Sequence, residues 1–302
     1  MKSVVLSYTN PDLDGVASAI AIEALYDLHW EARVSGSIDH ETAHVLKSLG
    51  LPLPPQVESW EQIHEIWLID THHRIQLPTA LPLSRVVKIT DHHPGGNPNC
   101  FPHAELQNET VGAVGTLIVE RYEAMRKAIL PEVALLLQAA ILSNSLEFRS
   151  GSTSDRDRHA YEKLSAIKPI GQILIEGMRE CRRGIVNLCT DQLVQSDTKL
   201  LETAYGVVAI AQVEAPGASK ILTRSDLMVS LRMLASRAEA ASAILNIVDT
   251  ASGTSGVVVT DPEIALLLAE KLSATVGNDQ VIRVNRVLQR KSDIIPFILK
   301  KW

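Results

Sequence analysis

Cysteine is scarce in this 302-residue chain, which has three thiols, Cys100, Cys181 and Cys189. Their spacing matches no zinc knuckle, and so few, odd in number, suit a reducing compartment. Long apolar runs are missing too. No stretch approaches the roughly 18 consecutive apolar residues of a membrane-spanning helix. The opening Met1-Lys2-Ser3-Val4-Val5-Leu6-Ser7 passes straight into a strand-like run, without the apolar stretch and cleavage site of a signal peptide. The expectation is a cytoplasmic protein with no membrane partner. Nor is there a basic block. Lys and Arg number 29 against 35 Asp and Glu, for a net charge of −6, so a nucleic-acid duplex is not an expected partner. A small anion is not excluded, because bound metal ions and a few local cations can hold one. Internal repeats and low-complexity segments are absent as well. What remains is an ordinary globular balance, 46% hydrophobic and 21% charged, in a chain long enough for about two domains.

The pattern along the chain is strand, polar turn, helix, repeated. Residues 3–7 read as a short buried strand and Thr9-Asn10-Pro11-Asp12 as a turn. A helix follows over 15–29, with Val16, Ile20, Ile22, Leu25 and Leu28 at helical spacing. Ile66-Trp67-Leu68-Ile69 is a strand ending at Asp70, and Val86-Val87-Lys88-Ile89 a strand ending at Asp91. Residues 111–127 and 131–143 read as helices, with Pro131 suited to a first turn, and 155–183 as a long helical stretch. This alternation predicts the α/β class with a parallel sheet covered on both faces. In such sheets sites lie beyond the carboxyl ends of the strands. The texture changes near 184–197. A polar joining segment from Thr190 to Asp197 precedes a strand at 206–213, helices at 224–240 and 262–274, and strands at 243–249, 256–260 and 281–284. We therefore divide the chain into a first domain, 1–189, and a smaller α/β domain, 190–302.

The residues with the richest chemistry sit at three of those strand ends. Asp12 and Asp14, two apart at a strand-to-helix turn, can face neighbouring cations, although Asp is also a common helix cap. Asp70 ends a strand and could bridge two ions; His72 and His73 follow it. Asp91-His92-His93 offers an imidazole ligand, a carboxylate to orient a ring, and a general acid. Three acid-bearing strand ends converging on one sheet edge point to a divalent-metal site. Mixed carboxylate and imidazole donors suit Mn²⁺, with Mg²⁺ or Co²⁺ as alternatives.

These motifs, in this order, resemble the DHH phosphoesterase superfamily. Asp91-His92-His93 is its name-giving triplet, Asn10-Pro11-Asp12-Leu13-Asp14 resembles its first motif, and Asp70 its second. Ala140 to Ser150 resembles the fourth, and Val111-Gly112 to Thr116 also fits. Leu288-Gln289-Arg290-Lys291-Ser292-Asp293-Ile294-Ile295-Pro296 resembles the C-terminal signature of manganese-dependent (family II) inorganic pyrophosphatases and prune-like exopolyphosphatases. Ser196-Asp197-Thr198-Lys199 fits the same domain. The resemblance implies a parallel-sheet DHH domain followed by a smaller α/β domain, with the active site in the cleft between them. It implies hydrolysis of pyrophosphate or short polyphosphate by metal-activated water. Asp12, Asp14, Asp70 and His92 would be metal ligands, with Asp70 bridging two Mn²⁺ ions. His93 would contact phosphate or assist proton transfer, and Lys199, Arg290 and Lys291 would hold the substrate's phosphates. A homodimer through a first-domain edge strand is a further implication.

The sequence departs from the family pattern at Tyr8, where a histidine ligand is usual, and at Asn144, where an aspartate ligand is usual. His72, Asp91, Tyr8 and Asn144 are therefore candidate ligands or supports of ligands. Gln289 and Ser292 also replace a usual serine and lysine. Two alternatives follow. One is a non-catalytic homologue that binds a phosphate ligand or a protein. The other is a DHH phosphodiesterase acting on nucleotides. The latter usually carries a glycine-rich C-terminal motif, whereas Ser252-Gly253-Thr254-Ser255-Gly256 reads more simply as a hairpin turn.

Overall fold

A computed structural model describes residues 2–27 and 29–299. Leu28, which the sequence pattern puts on the apolar face of the first helix, lies outside the described residues. The chain divides after Arg179 into two compact units. The first contains β1 (Lys2–Leu6), α1 (Leu13–Leu25), β2 (Trp30–Ala32), α2 (His40–Leu49), β3 (Ile63–Ile69), β4 (Val86–Asp91), β5 (Glu105–Asn108), α3 (Val114–Ala124), α4 (Pro131–Asn144) and α5 (Asp155–Ile167). The next helix, α6 (Gln172–Ile185), runs across the boundary.

The first sheet has the order β2-β1-β3-β4-β5, with every neighbouring pair parallel. Strand alternation sends Val5, Trp67 and Ile69 to one face, against Ile22 of α1, Ile118 of α3 and Leu137 of α4. Val4, Leu6, Ile66 and Leu68 go to the other, where Leu77, Leu81 and Phe101 cover them. A further side of α1 (Leu13, Val16, Ala17) packs on Val45 and Leu46 of α2 and on Leu136 and Ala140 of α4. Neighbours on several sides explain why α1 is apolar nearly all round. Its start is fixed locally, since the Asp12 side chain accepts from the backbone N–H groups of Asp14 and Gly15.

The second unit contains α7 (Thr190–Ser196), β6 (Thr198–Thr203), β7 (Gly206–Ala215), α8 (Leu227–Arg237), β8 (Ser242–Asp249), β9 (Thr254–Val259), α9 (Pro262–Lys271), β10 (Val281–Val284) and α10 (Ile295–Ile298). Its sheet runs β10-β9-β8-β7-β6. β7 and β8 are parallel and the other neighbours antiparallel. β8, the middle strand, is buried along its whole length. Residues of α7 and α8 cover one face, and residues of α9 and α10 the other.

Several expectations change. The long helical stretch over 155–183 is two helices, separated around Pro169 and Gly171, which end one helix and precede the next. The joining segment from Thr190 to Asp197 is largely helix α7, whose Leu193 and Val194 are fully buried. The second sheet begins one strand earlier than expected, at β6. β2, α2, β5 and α10 were not foreseen. The Ser252–Gly256 stretch does make the turn between antiparallel β8 and β9, with Gly253 at φ 70°.

Candidate metal centre

β1, β3 and β4 are neighbours in a parallel sheet, so their carboxyl ends lie side by side. Asp70 directly follows β3 and is fully buried. Its φ of 63° places a non-glycine residue in the left-handed region, a conformation that tertiary structure must enforce and that recurs at functional sites. Its Oδ1 is 3.0 Å from His92 Nε2 and 3.6 Å from His93 Nδ1. Donor atoms of Asp70, His92 and His93 all lie within 4.8 Å of one another.

Hydrogen bonds set the direction of each histidine. His92 Nδ1 donates to the Val111 carbonyl at 3.0 Å, which leaves Nε2 to face Asp70 and, at 3.9 Å, Asp14 Oδ2. His93 Nδ1 donates to Asp91 Oδ1 at 2.8 Å. Asp91 is fully buried, and its Oδ1 also accepts from the backbone N–H of His92 at 2.6 Å and of His93 at 3.1 Å. Its Oδ2 meets His72 Nδ1, while His72 Nε2 meets the Gly95 carbonyl. Burial acts to raise the Asp91 carboxyl, but the charge of His93 and hydrogen bonds from His72 and His93 outweigh it and hold it well below the usual carboxylate range. Burial opposes the charged His72 ring, but the Asp91 hydrogen bond wins and raises its pKa. His72 thus lies against Asp91 and supports the triplet, outside the Asp70-His92-His93 donor set.

Asp14, 1% exposed, is held from elements a hundred or more residues away. Its Oδ1 accepts from Gly115 N–H at 2.9 Å, and its Oδ2 from Val114 N–H at 2.7 Å and Asn144 Nδ2 at 2.6 Å. Burial first, and then the charge of Asp70, push its carboxyl up to about 7. Asp12 is half-buried; besides capping α1, its own N–H donates to the Tyr8 hydroxyl at 3.2 Å. The structure therefore brings Tyr8, Asp12, Asp14, Asp70, Asp91, His92, His93 and Asn144 into one neighbourhood. Gly15 is obligatory beside it: a Cβ there would fall 2.5 Å from Ser7 Oγ.

These donors fit a divalent cation. Hard carboxylate oxygens mixed with imidazole are a manganese-like set. The 3.0 Å between Asp70 Oδ1 and His92 Nε2 is about the edge of an octahedron of ligands lying ~2.1 Å from an ion. Positive charge here would also offset the mutual repulsion that raises Asp14.

In the second unit, Lys199 of β6 pairs in register with Ile210 of β7. Arg290 donates Nη1 to the carbonyls of Ile210 (3.0 Å) and Asp197 (3.1 Å), and Nη2 to Asp197 Oδ1 (2.8 Å). The Arg290 guanidinium and the Lys199 backbone are thus both placed at Ile210 of the β6–β7 pair, with Lys291 beside Arg290 in a π-helical turn, Arg290–Ile294. Such turns are frequent at functional sites. Sequence reading missed Gln212 and Glu214 there. Gln212 accepts from the Arg290 N–H, and Glu214 accepts from Gln212 and Gln289. Burial pushes the Glu214 carboxyl up to about 7. Their alternation along β7 on the side facing Arg290 was the available signal.

A parallel sheet with an acid at one strand end and Asp-His-His at the next defines a DHH-type protein, and residues 2–141 match the DHH family, N-terminal domain. The manganese-dependent inorganic pyrophosphatase of Methanocaldococcus jannaschii is 30% identical over 74% of this chain and 74% of its own. That of Methanothrix thermoacetophila is 26% identical over 97% of this chain and 96% of its own. A crystal structure described as a family II inorganic pyrophosphatase from Methanococcus jannaschii superposes with a TM-score of 0.86, at 25% identity over 98% of both chains. The chain belongs to the DHH family, among the manganese-dependent inorganic pyrophosphatases.

Proposed function

We propose that this protein hydrolyses a phosphoanhydride bond, that of inorganic pyrophosphate or a short polyphosphate, with a water activated by divalent metal. The observation that carries the reading is the convergence of Asp70, His92 and His93 at adjacent strand ends, with His92 turned by Val111 so that Nε2 faces the carboxylates. Asp12, Asp14, Asp70 and His92 would hold Mn²⁺, expected at two sites, with Mg²⁺ or Co²⁺ as substitutes. Bound metal would supply Lewis acidity and a water of lowered pKa. Asp91, kept anionic, orients His93 through Nδ1, so Nε2 is the atom that gives or takes a proton or contacts phosphate. Lys199, Arg290 and Lys291 of the C-terminal domain, 190–302, would neutralise the phosphates. On this reading residues 1–189 are the metal-binding catalytic domain of a cytoplasmic enzyme. An edge strand of the first sheet, β2 or β5, would be the place for a homodimer.

The test is phosphate release with Mn²⁺ over pyrophosphate, polyphosphate and dinucleotides. Turnover of either of the first two is expected. None on any of them, with folded protein and Mn²⁺ present, overturns the reading. One observation favours a second reading, a phosphate-binding homologue without turnover: Asn144 offers Asp14 an amide N–H where the resemblance described above implies an aspartate. Activity that appears only in the double variant Tyr8→His, Asn144→Asp would select it.

A further inference from the structure

Asp157, on the first turn of α5, touches neither Asp14 nor His92 among the described contacts, yet it fixes the segment that aims both. It is fully buried. Two of its hydrogen bonds come from the cap of its own helix, the Ser154 N–H and the Ser154 hydroxyl, both at 2.7 Å; the first, with the Asp157 N–H donating to Ser154 Oγ at 3.4 Å, makes the capping box of α5. Three others reach across to the segment before α3. The Gly112 N–H donates to Oδ2 at 2.8 Å, and to Oδ1 come the Ala113 N–H at 3.2 Å and the Thr116 hydroxyl at 2.6 Å. The fit is close enough that a Cβ on Gly112 would lie 2.9 Å from Asp157 Oδ2.

The same segment has two outputs at the metal centre. Val111, one residue before Gly112, gives its carbonyl to His92 Nδ1. Val114 and Gly115, immediately after Ala113, give their N–H groups to Asp14. A carboxylate suits the crossing point because it offers two oxygens and no donor to five converging donors. Neither a neutral hydroxyl nor an amide could accept all five without turning a hydrogen toward an N–H.

We propose that Asp157 is a positioning residue of the metal centre: through residues 111–116 it sets both the ring orientation of His92 and the direction of the Asp14 carboxylate. This rests on the reading of Asp14 and His92 as metal ligands. The experiment compares the full-length protein with Asp157→Asn and with Ser154→Ala, which disturbs only the helix-cap side. Mn²⁺ affinity is measured by titration calorimetry, and the His92 tautomer by ¹⁵N NMR of the metal-free protein. Both variants should melt earlier. Only Asp157→Asn should lose Mn²⁺ affinity, by about ten- to a hundred-fold as for other groups that orient ligands, and only it should shift His92 away from the Nδ1–H form. Unchanged affinity and tautomer in folded Asp157→Asn, or an equal loss in Ser154→Ala, would overturn the proposal. If Asp157→Asn does not fold, Thr116→Val removes one of the three cross-links; a several-fold loss of affinity supports the proposal, and wild-type affinity overturns it. Wild-type protein that binds no Mn²⁺ would instead sink the metal reading, and the tautomer comparison would then decide this one alone.

Discussion

Asp249, at the end of β8, accepts hydrogen bonds from the Gly217, Ser219 and Ala251 N–H groups and from the Ser219 hydroxyl. Burial alone would raise its carboxyl, but the Ser219 hydroxyl and the backbone donors outweigh it and lower it from 3.8 to about 2. A depressed carboxylate contributes stability that is fully present above the unfolded pKa of 3.8 and is lost as pH falls toward 2. At pH 7 Asp249→Asn should therefore cost on the order of 2 kcal/mol. In urea melts the gap between variant and wild type should stay constant from pH 8 to 5 and narrow below pH 4; a gap that widens on acidification would contradict this assignment. At this same scale, Asp70 and Asp91-His92-His93 were legible because the motif is contiguous and stands at a strand end. Asn144, a side-chain partner of Asp14, stood out as a departure from a motif, but the backbone partners of Asp14 did not. Val114 and Gly115 reach it by N–H groups from about a hundred residues away, and backbone donors leave no trace in side-chain identity.

The helix α1 carries two roles on one residue, cap and candidate ligand, and substitution separates them. Serine caps a helix about as well as aspartate but is a poor ligand for a hard divalent cation. In chelator, Asp12→Ser should match wild-type stability within ~0.5 kcal/mol, whereas Asp12→Ala should lose ~1 kcal/mol. On adding Mn²⁺, wild type should melt later and both variants should gain less. A gain in Asp12→Ser equal to that of wild type would leave Asp12 a cap only. The strongly patterned elements of this protein were readable for a similar reason: β3, β4 and α4 each combine an apolar run with a marked end. β2, three residues long, has too few positions to show a period. β5 presents mostly exposed residues at a sheet edge. α7 looks like a linker by polarity, and only tertiary contact of Leu193 and Val194 reveals it as packed structure.

For the whole molecule, the two units carry different halves of the proposed chemistry, and ligands should reach them in order. On the proposed reading Mn²⁺ binds the folded state, so at a hundred times its dissociation constant it should add about 2.7 kcal/mol to stability. That gain should be local. Hydrogen exchange in the intact protein should slow at residues 9–16, 70–73, 91–96 and 111–116, the segments that carry Asp12, Asp14, Asp70, the triplet and the Val111–Gly115 clamp. Residues 197–215 and 288–294 should be unaffected by metal alone, because Lys199, Arg290 and Lys291 are cations with nothing to offer a bare Mn²⁺. A non-hydrolysable diphosphonate added to the Mn²⁺ form should then protect 197–199 and 289–292, since an anionic ligand would add phosphate contacts to those Arg290 already makes with Asp197 and Ile210. Protection that appears in both units with metal alone, or in neither with both ligands, would separate the family fold from the site chemistry argued for it.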